Sequence, residues 1–417
     1  MNFVILGGGY AGATAAIRLA RTTRGNARVI LVSASDRFVE RIRLHERGAG
    51  RTLPVRALSS LLRGSGVEVV IGCALAVDEA ARTVTVGRID GADEVSERRL
   101  PWDRLVLALG SRPDTSFPGV REHALALDGP GAETLAAKLP ELSARSASGR
   151  GRARVVVVGG GLTGIEAASE IAESWPELQV ELVTRGALGD EFSAAARAHF
   201  ATAFERLKIG VHPRTSVVRV EHGRLVTRDG EVPFDLCIWT AGFVGAPLPS
   251  GLEVATNDRG QVLVDPFLRS ISHPAIYVAG DLASLHVAPP IPVPMGCKTA
   301  GPAGAHVADN LVREGLGRPL DPFDFVAPLY CVSLGRRDGV IQRTRPDGCA
   351  TGPVLRGRLG AWVKELVCRG TVTAFTLERL GLSRYEMFRG GNVAALPPAT
   401  ATRSTGHGRL EAEVVGS

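Results

Sequence analysis

Two short glycine patterns are the residues that most plainly could do chemistry. Gly7, Gly9 and Gly12 stand in G-x-G-x-x-G spacing directly after the apolar run Phe3–Leu6. Gly159, Gly161 and Gly164 repeat that spacing directly after Val155–Val158. In such a turn the first glycine permits the tight bend, the second lets backbone approach a pyrophosphate, and the third lets the next helix pack close to the strand. The helices predicted after the turns, Ala13–Arg21 and Ile165–Glu173, would aim free N–H groups and the positive end of the dipole at that pyrophosphate. One such pattern is weak evidence in a chain with 50 glycines. Two, each between a strand-like and a helix-like run, are a duplication.

The second strand of each unit decides what else the site reads. An acid at its end usually bonds the adenosine ribose. The strand predicted over Arg28–Val32 ends instead at Ser33, whose hydroxyl offers an uncharged hydrogen bond; Asp36 lies three residues on. The strand Val180–Val183 ends at Thr184-Arg185, and an arginine there can pair with a 2′-phosphate.

Between these positions the chain supplies the elements that must hold them. Asp36–Arg51 is charged and helical in rhythm, and Leu53–Leu62 reads as a further helix with Pro54 in its first turn. Val67–Ile71, Arg82–Val86 and Arg104–Leu109 read as strands. Ala144–Ala153 is a Ser/Gly/Arg stretch that reads as a domain junction. Beyond it, Val211–Val220 and Arg224–Thr227 read as antiparallel strands, and Leu236–Trp239 leads into Thr240-Ala241-Gly242. Ala275–Ala279 is a strand closed by Gly280-Asp281, and Thr299–Val312 a helix. Phe323–Gln342 is β-rich, Gly360–Leu380 helix-like, and the Pro/Thr/Gly-rich tail reads as disordered.

Composition narrows the function. The chain has 417 residues, enough for two or three domains, and 45% hydrophobic residues, ample for real cores. The net charge of +6 is carried almost wholly by arginine, since the only lysines are Lys138, Lys208, Lys298 and Lys364. No basic run alternates with aromatics, which argues against nucleic acid. None of the six cysteines forms C-x-x-C or a metal-ligand spacing, so no metal site is expected and a reducing, cytoplasmic setting fits. No signal peptide is visible and no run is long enough to span a membrane.

Taken in order, the two glycine turns, ALGS at 108–111, WTAG at 239–242 and YVAGD at 277–281 resemble the two-dinucleotide-binding-domain flavoproteins. Within them the chain looks most like type II NADH:quinone oxidoreductases and the ferroptosis-suppressor and apoptosis-inducing-factor group. The match covers about residues 1–325. The fold class it implies is α/β, with two Rossmann-like dinucleotide-binding domains, each carrying an antiparallel β insertion, and a C-terminal α+β region. The expected bounds are 1–143 with 247–325 for an FAD domain, 154–246 for an NAD(P)H domain, 326–392 for the C-terminal region and 393–417 for the tail.

The resemblance implies that Gly7, Gly9 and Gly12, with Ser33 and Gly110, hold FAD. It implies that Gly280 and Asp281 bring the chain back to the flavin, with Asp281 accepting from the ribityl chain. Gly159, Gly161, Gly164, Gly242 and Arg185 would hold NADH or NADPH, with Glu166 near the nicotinamide or its ribose. Disulfide reductases of this superfamily carry a redox cysteine pair after the second strand. Arg37–Gly50 here has none, so electrons would pass from NAD(P)H to flavin and then directly to a second substrate. Lys298 would lie in the segment facing the flavin and stabilise negative charge there. His45, in the stretch replacing the cysteine motif, could protonate an acceptor, or could be a surface or packing histidine among Arg43, Glu46 and Arg47.

Three functions follow. The first is NAD(P)H dehydrogenation with a quinone or quinone-like small molecule as acceptor. The second is oxidoreduction of a pathway intermediate, and the third an NAD(P)H-binding redox sensor. The chain carries Thr299-Ala300-Gly301-Pro302 where the quinone enzymes often have an A-Q motif. Gly360–Leu380 has apolar residues among Lys364, Arg369 and Arg379, which suits a peripheral seat on the inner face of a membrane, cover for the FAD domain, or a homodimer contact.

Overall fold

The computed structural model describes residues 1–87, 97–148, 151–287, 291–293, 295–325, 329–345, 350–383 and 385. The tail expected to be disordered lies outside them.

The run Asn2–Leu6 is the centre of a five-stranded parallel sheet. Its order is Ile276–Val278, Arg104–Leu107, Asn2–Leu6, Arg28–Ser33, Glu68–Ile71. Both faces of such a sheet are covered, which is why Val4, Ile5 and Leu6 are fully buried. Helix α1 (Tyr10–Thr23) follows the first strand. The other side receives an antiparallel insertion, Cys73–Asp78, Thr83–Gly87 and Arg98–Pro101, whose Val77, Val84 and Leu100 share the same core.

After Ser33 the expected helix over Asp36–Arg51 is broken into Arg37–Phe38, a single 3₁₀ turn and helix α2, Leu44–Gly48. The cause is Arg43, which is buried and held by Glu40, Glu46 and Glu365. The expected helix over Leu53–Leu62 shrinks to Leu58–Leu61, because Arg56–Ala57 pairs with Arg37–Phe38.

The second unit repeats the first: Leu125–Ala126, Leu236–Trp239, Arg154–Val158, Gln179–Val183, Gly210–His212, all parallel. This sheet takes its edge strand from Leu125–Ala126, and helix α3 (Gly129–Ala147) runs through the start of the segment read as a junction. The second unit therefore begins upstream of Ala144–Ala153. Helix α4 (Leu162–Ser174) follows the second glycine turn, and α5 (Ala194–Arg206) lies beyond the next strand. Along Arg154–Val158 the side chains alternate, Val155 and Val157 into one core with α3, α4 and α5, and Val156 and Val158 into another under the insertion Val217–Glu221, Arg224–Thr227, Gly230–Pro233. Val211–Val220 is thus two strands rather than one; Pro213 and the left-handed Arg214 (φ 52°) separate them.

Two chain crossings join the units, Ser111–Pro113 pairing antiparallel with Phe243–Gly245. Helix α6 (Cys297–Gly315) then returns to α1, so close that a Cβ on Gly304 would stand 2.1 Å from the Ala11 carbonyl oxygen. The C-terminal region is a three-stranded antiparallel sheet, Leu329–Ser333, Gly339–Thr344 and Ala350–Arg356, followed by α7, Gly357–Arg379. Its Tyr330 and Val332 enter the core of the second unit, while Val372 and Phe375 enter that of the first.

Candidate active site

The two glycine turns have the same construction. Gly7 and Gly159 have φ of 115° and 125°, a conformation that L side chains rarely adopt. A Cβ on Gly12 would lie 1.9 Å from the Gly7 carbonyl oxygen, and one on Gly164 equally 1.9 Å from that of Gly159. The middle glycines differ in kind: a Cβ at Gly9 or Gly161 meets no protein atom within 4 Å. These two are also the N-caps of α1 and α4, with no side chain capping the helix. Open space in front of uncapped N–H groups fits a pyrophosphate at each turn.

Around the first cradle, Ser33 is buried and donates its hydroxyl hydrogen to the Ser35 carbonyl at 2.8 Å. It therefore keeps only acceptor capacity toward a ribose. Gly110 sits with φ 75° and open space beside it. Gly280, also at φ 75°, approaches Ala11 and Ala300. Asp281 accepts from the Ser111 hydroxyl and from the Gly296 N–H, both at 2.7 Å, one on each oxygen. Each carboxylate oxygen has a second lone-pair direction, so the role expected toward a ribityl chain fits these contacts.

Around the second cradle, Thr184 is buried against Gly160, and Arg185 is exposed with no ion pair among the described residues. Gly242 has φ 97°.

Behind the second glycine turn lies a buried charged set that joins three parts of the chain. Glu166, in the second turn of α4, is only 7% exposed. One of its oxygens accepts from Lys364 Nζ of α7 at 2.8 Å and from the Ser333 N–H at 3.0 Å. The other stands 3.7 Å from Nδ1 of His45 on α2. Burial alone would push the Glu166 carboxyl up, but the Lys364 ammonium outweighs it and holds it below the usual range. Burial would likewise lower the Lys364 ammonium, and Glu166 reverses this, so the pair is ionised at neutral pH. His45 has the opposite balance: burial pushes it down and keeps the ring neutral. Its Nε2 has no hydrogen-bond partner among the described residues.

The burial of His45 removes the surface alternative and leaves the packing one beside the role toward an acceptor. Its charged neighbours are themselves drawn inward in pairs, Arg43 with Glu46 at 2.8 Å and Arg336 with Glu46 at 2.6 Å. Lys298 does not join Glu166. Its ammonium lies 4.4 Å over the Tyr330 ring, and burial lowers its pKa. Lys364 is the residue that sequence reasoning counted without singling out. Its signal was a lysine flanked by Trp362, Leu366 and Val367 in a chain that otherwise uses arginine.

A model of the pyridine nucleotide-disulphide oxidoreductase family matches residues 1–315. The chain belongs to that family. An NADH dehydrogenase-like protein of Mycobacterium tuberculosis is 31% identical over 422 residues, covering 96% of this chain and 98% of the relative. A type II NADH:quinone oxidoreductase of Staphylococcus aureus is 25% identical over 408 residues, covering 91% and 96%. Among solved structures, the sulfide:quinone oxidoreductase of Aquifex aeolicus superposes with a TM-score of 0.75 at 18% identity, covering 91% of this chain and 92% of that one. This member of the family is an oxidoreductase enzyme of two dinucleotide-binding units, and its cofactors are FAD and a pyridine nucleotide. Among the described residues no cysteine pair and no metal-binding group accompanies the cradles.

Proposed function

We propose that the protein is an FAD-dependent NAD(P)H dehydrogenase that passes electrons to a quinone or quinone-like small molecule without a redox disulfide. The observation that carries the reading is the pairing of two equivalent cradles with a cysteine-free α2, where Glu166, Lys364 and neutral His45 meet instead. The quinone acceptor is named in the Staphylococcus relative. FAD at the first cradle supplies the two-electron chemistry. Gly7, Gly9, Gly12 and Gly110 admit its pyrophosphate, and Asp281, steadied by Ser111 and Gly296, orients the ribityl chain. Gly159, Gly161, Gly164 and Gly242 seat the nicotinamide nucleotide, whose 2′-phosphate, when present, meets Arg185. Glu166 and Lys364 hold a fixed ionised pair near the nicotinamide. His45 is the neutral group able to hold or move the proton that quinone reduction consumes, and Lys298 offsets negative charge at the start of α6.

No helix among the described residues is long and apolar enough to cross a membrane. One face of α7 covers the first unit through Val372 and Phe375. The opposite face leaves Leu359, Trp362, Leu366 and Leu377 39–59% exposed. That stripe suits a peripheral seat on a bilayer.

Stopped-flow spectroscopy of the yellow holoprotein tests the reading. NADH or NADPH is expected to bleach the flavin, and a soluble quinone to restore it in the same mixture. A reduced, long-lived charge-transfer species that no quinone reoxidises would instead mark a redox sensor.

A further inference from the structure

On the outer side of Lys364 is a cavity of about 300 Å³ that none of the expected cofactor contacts uses. It lies between the turn after Leu329–Ser333 and the start of α7, with Glu46 of α2 at its base. Six charged side chains line it, and four are neutralised. Arg336 pairs with Glu46 at 2.6 Å, and Lys364 with Glu166 at 2.8 Å. Glu365 is held by Arg43 and Arg369 at 2.9 and 2.8 Å. Arg337 and Arg358 are exposed and form no ion pair among the described residues, so the wall carries two uncompensated guanidinium groups. Beside them is the Trp362 indole, 59% exposed. A bare aromatic face invites stacking, and a free guanidinium fork matches the oxygens of a carboxylate or sulfonate. The volume is at the small end of ligand pockets, the size of one fused ring system.

We propose that this cavity binds a small aromatic anion, its ring on Trp362 and its acidic group on Arg337 and Arg358, and that the electron acceptor is received here as an acidic quinone. The proposal rests on the acceptor reading of the preceding subsection. It deepens that reading by giving the acceptor a negative charge and a place one side chain away from the Glu166–Lys364 pair. A neutral quinone offers the two arginines only carbonyl oxygens, whereas an acidic one adds a charge that pairs with them, so they favour acidic over neutral acceptors.

The test uses the full-length holoenzyme and the Arg337→Ala/Arg358→Ala double variant. Neither arginine has an ion-pair or hydrogen-bond partner among the described residues, so the variant keeps its fold, and flavin content verifies that. Naphthalene-2-sulfonate, which cannot be reduced, is titrated against tryptophan fluorescence, with Trp362→Phe removing the signal. The expected result is saturable quenching whose affinity falls at least tenfold in the double variant. In parallel, kcat/KM for 1,4-naphthoquinone-2-sulfonate falls by a similar factor while that for 2-methyl-1,4-naphthoquinone stays within twofold. The conservative Arg358→Lys variant of the wild type loses less than Arg358→Ala. Absence of quenching, or an equal change for both quinones, overturns the proposal. So does a double variant that stops pelleting with phosphatidylglycerol vesicles yet keeps its naphthalenesulfonate affinity, since the arginines would then serve a lipid. A wild type that binds naphthalenesulfonate through the two arginines but reduces neither quinone refutes the dehydrogenase reading and leaves the aromatic-anion site standing.

Discussion

The helices behind the two glycine turns, α1 and α4, occupy equivalent places in equivalent units, yet they carry opposite buried charge. Two residues after the third glycine the first has Thr14 and the second Glu166; six residues after it the first has Arg18 and the second Glu170. Arg18 is held by Glu378 and Asp309, both at 2.8 Å, and Glu378 is fully buried. Glu166 is held by Lys364, and Glu170 by Arg51. Helix α7 carries both partners: Lys364 near its start meets the acid of the second unit, and Glu378 near its end meets the cation of the first. The glycine turns share one geometry, whereas the helices behind them differ in buried charge and meet opposite ends of one strap.

The comparison can be broken most forcefully at the ion pairs. Lys364→Met strands Glu166 as a buried carboxylate without its counter-ion, an expected loss of about 3–5 kcal/mol; Arg18→Met leaves Glu378 only Arg21 as a counter-ion, at 3.3 Å, and is expected to cost less. Urea unfolding followed by flavin release checks this. Arg18→Met is expected to loosen the first unit and Lys364→Met the second, with NAD(P)H affinity falling in the latter. Equal, small shifts in both would show that the pairs contribute little to holding α7.

Asp281→Ala tests the asymmetry at the cradles. It removes a charged acceptor engaged by Ser111 and Gly296, a loss of roughly 1.5–3 kcal/mol. Purified protein is expected to carry less FAD while still binding a pyridine nucleotide, measured by absorbance and by calorimetry. Full flavin occupancy would contradict the assignment.

A smaller effect is expected at the second strand ends, where Ser33 and Arg185 differ in charge. Arg185→Ala should raise KM for NADPH selectively and leave NADH nearly unchanged. An equal change for both nucleotides would show that Arg185 does not read the 2′-phosphate. The smallest effect belongs to the thiols. Burial pushes Cys297 up to about 11 and Cys368 up to about 12, so neither presents a thiolate near neutral pH. Iodoacetamide at pH 7.5 is therefore expected to leave quinone reduction intact, and inactivation with flavin retained would point first to Cys297.

The sequence disclosed the cradles because their glycines answer to local geometry: a positive φ at Gly7, a missing Cβ at Gly12 and an open approach at Gly9 leave a spacing that any reader can find. Glu166 was legible as an acid at a helix start, but its partner was not. Lys364 comes from an element far along the chain, and its apolar flanks, Trp362, Leu366 and Val367, do not say which acid its ammonium meets. For a related reason the sequence could not choose between a surface and a packing place for His45. Arg43, Glu46 and Arg47 read locally as a solvated run, whereas Arg43 and Glu46 are neutralised by each other, by Glu365 and by Arg336. The broken helix over Asp36–Arg51 follows from the same burial, since periodicity describes an isolated segment and the ion pairs belong to the assembled molecule.

The strap has a bearing on how the protein is made. Lys364 and Glu378 lie about 21 Å apart along α7, at the usual rise per residue. Their partners belong to units that both leave the ribosome earlier, and domains fold as they emerge. During synthesis, then, there is an interval in which each glycine cradle has formed and no helix yet ties one to the other. Cofactor capture in that interval meets two domains joined through Ser111–Pro113 and Phe243–Gly245 and not yet through α7. Once α7 docks, any opening of one unit against the other must work against both buried ion pairs, Lys364 with Glu166 and Glu378 with Arg18.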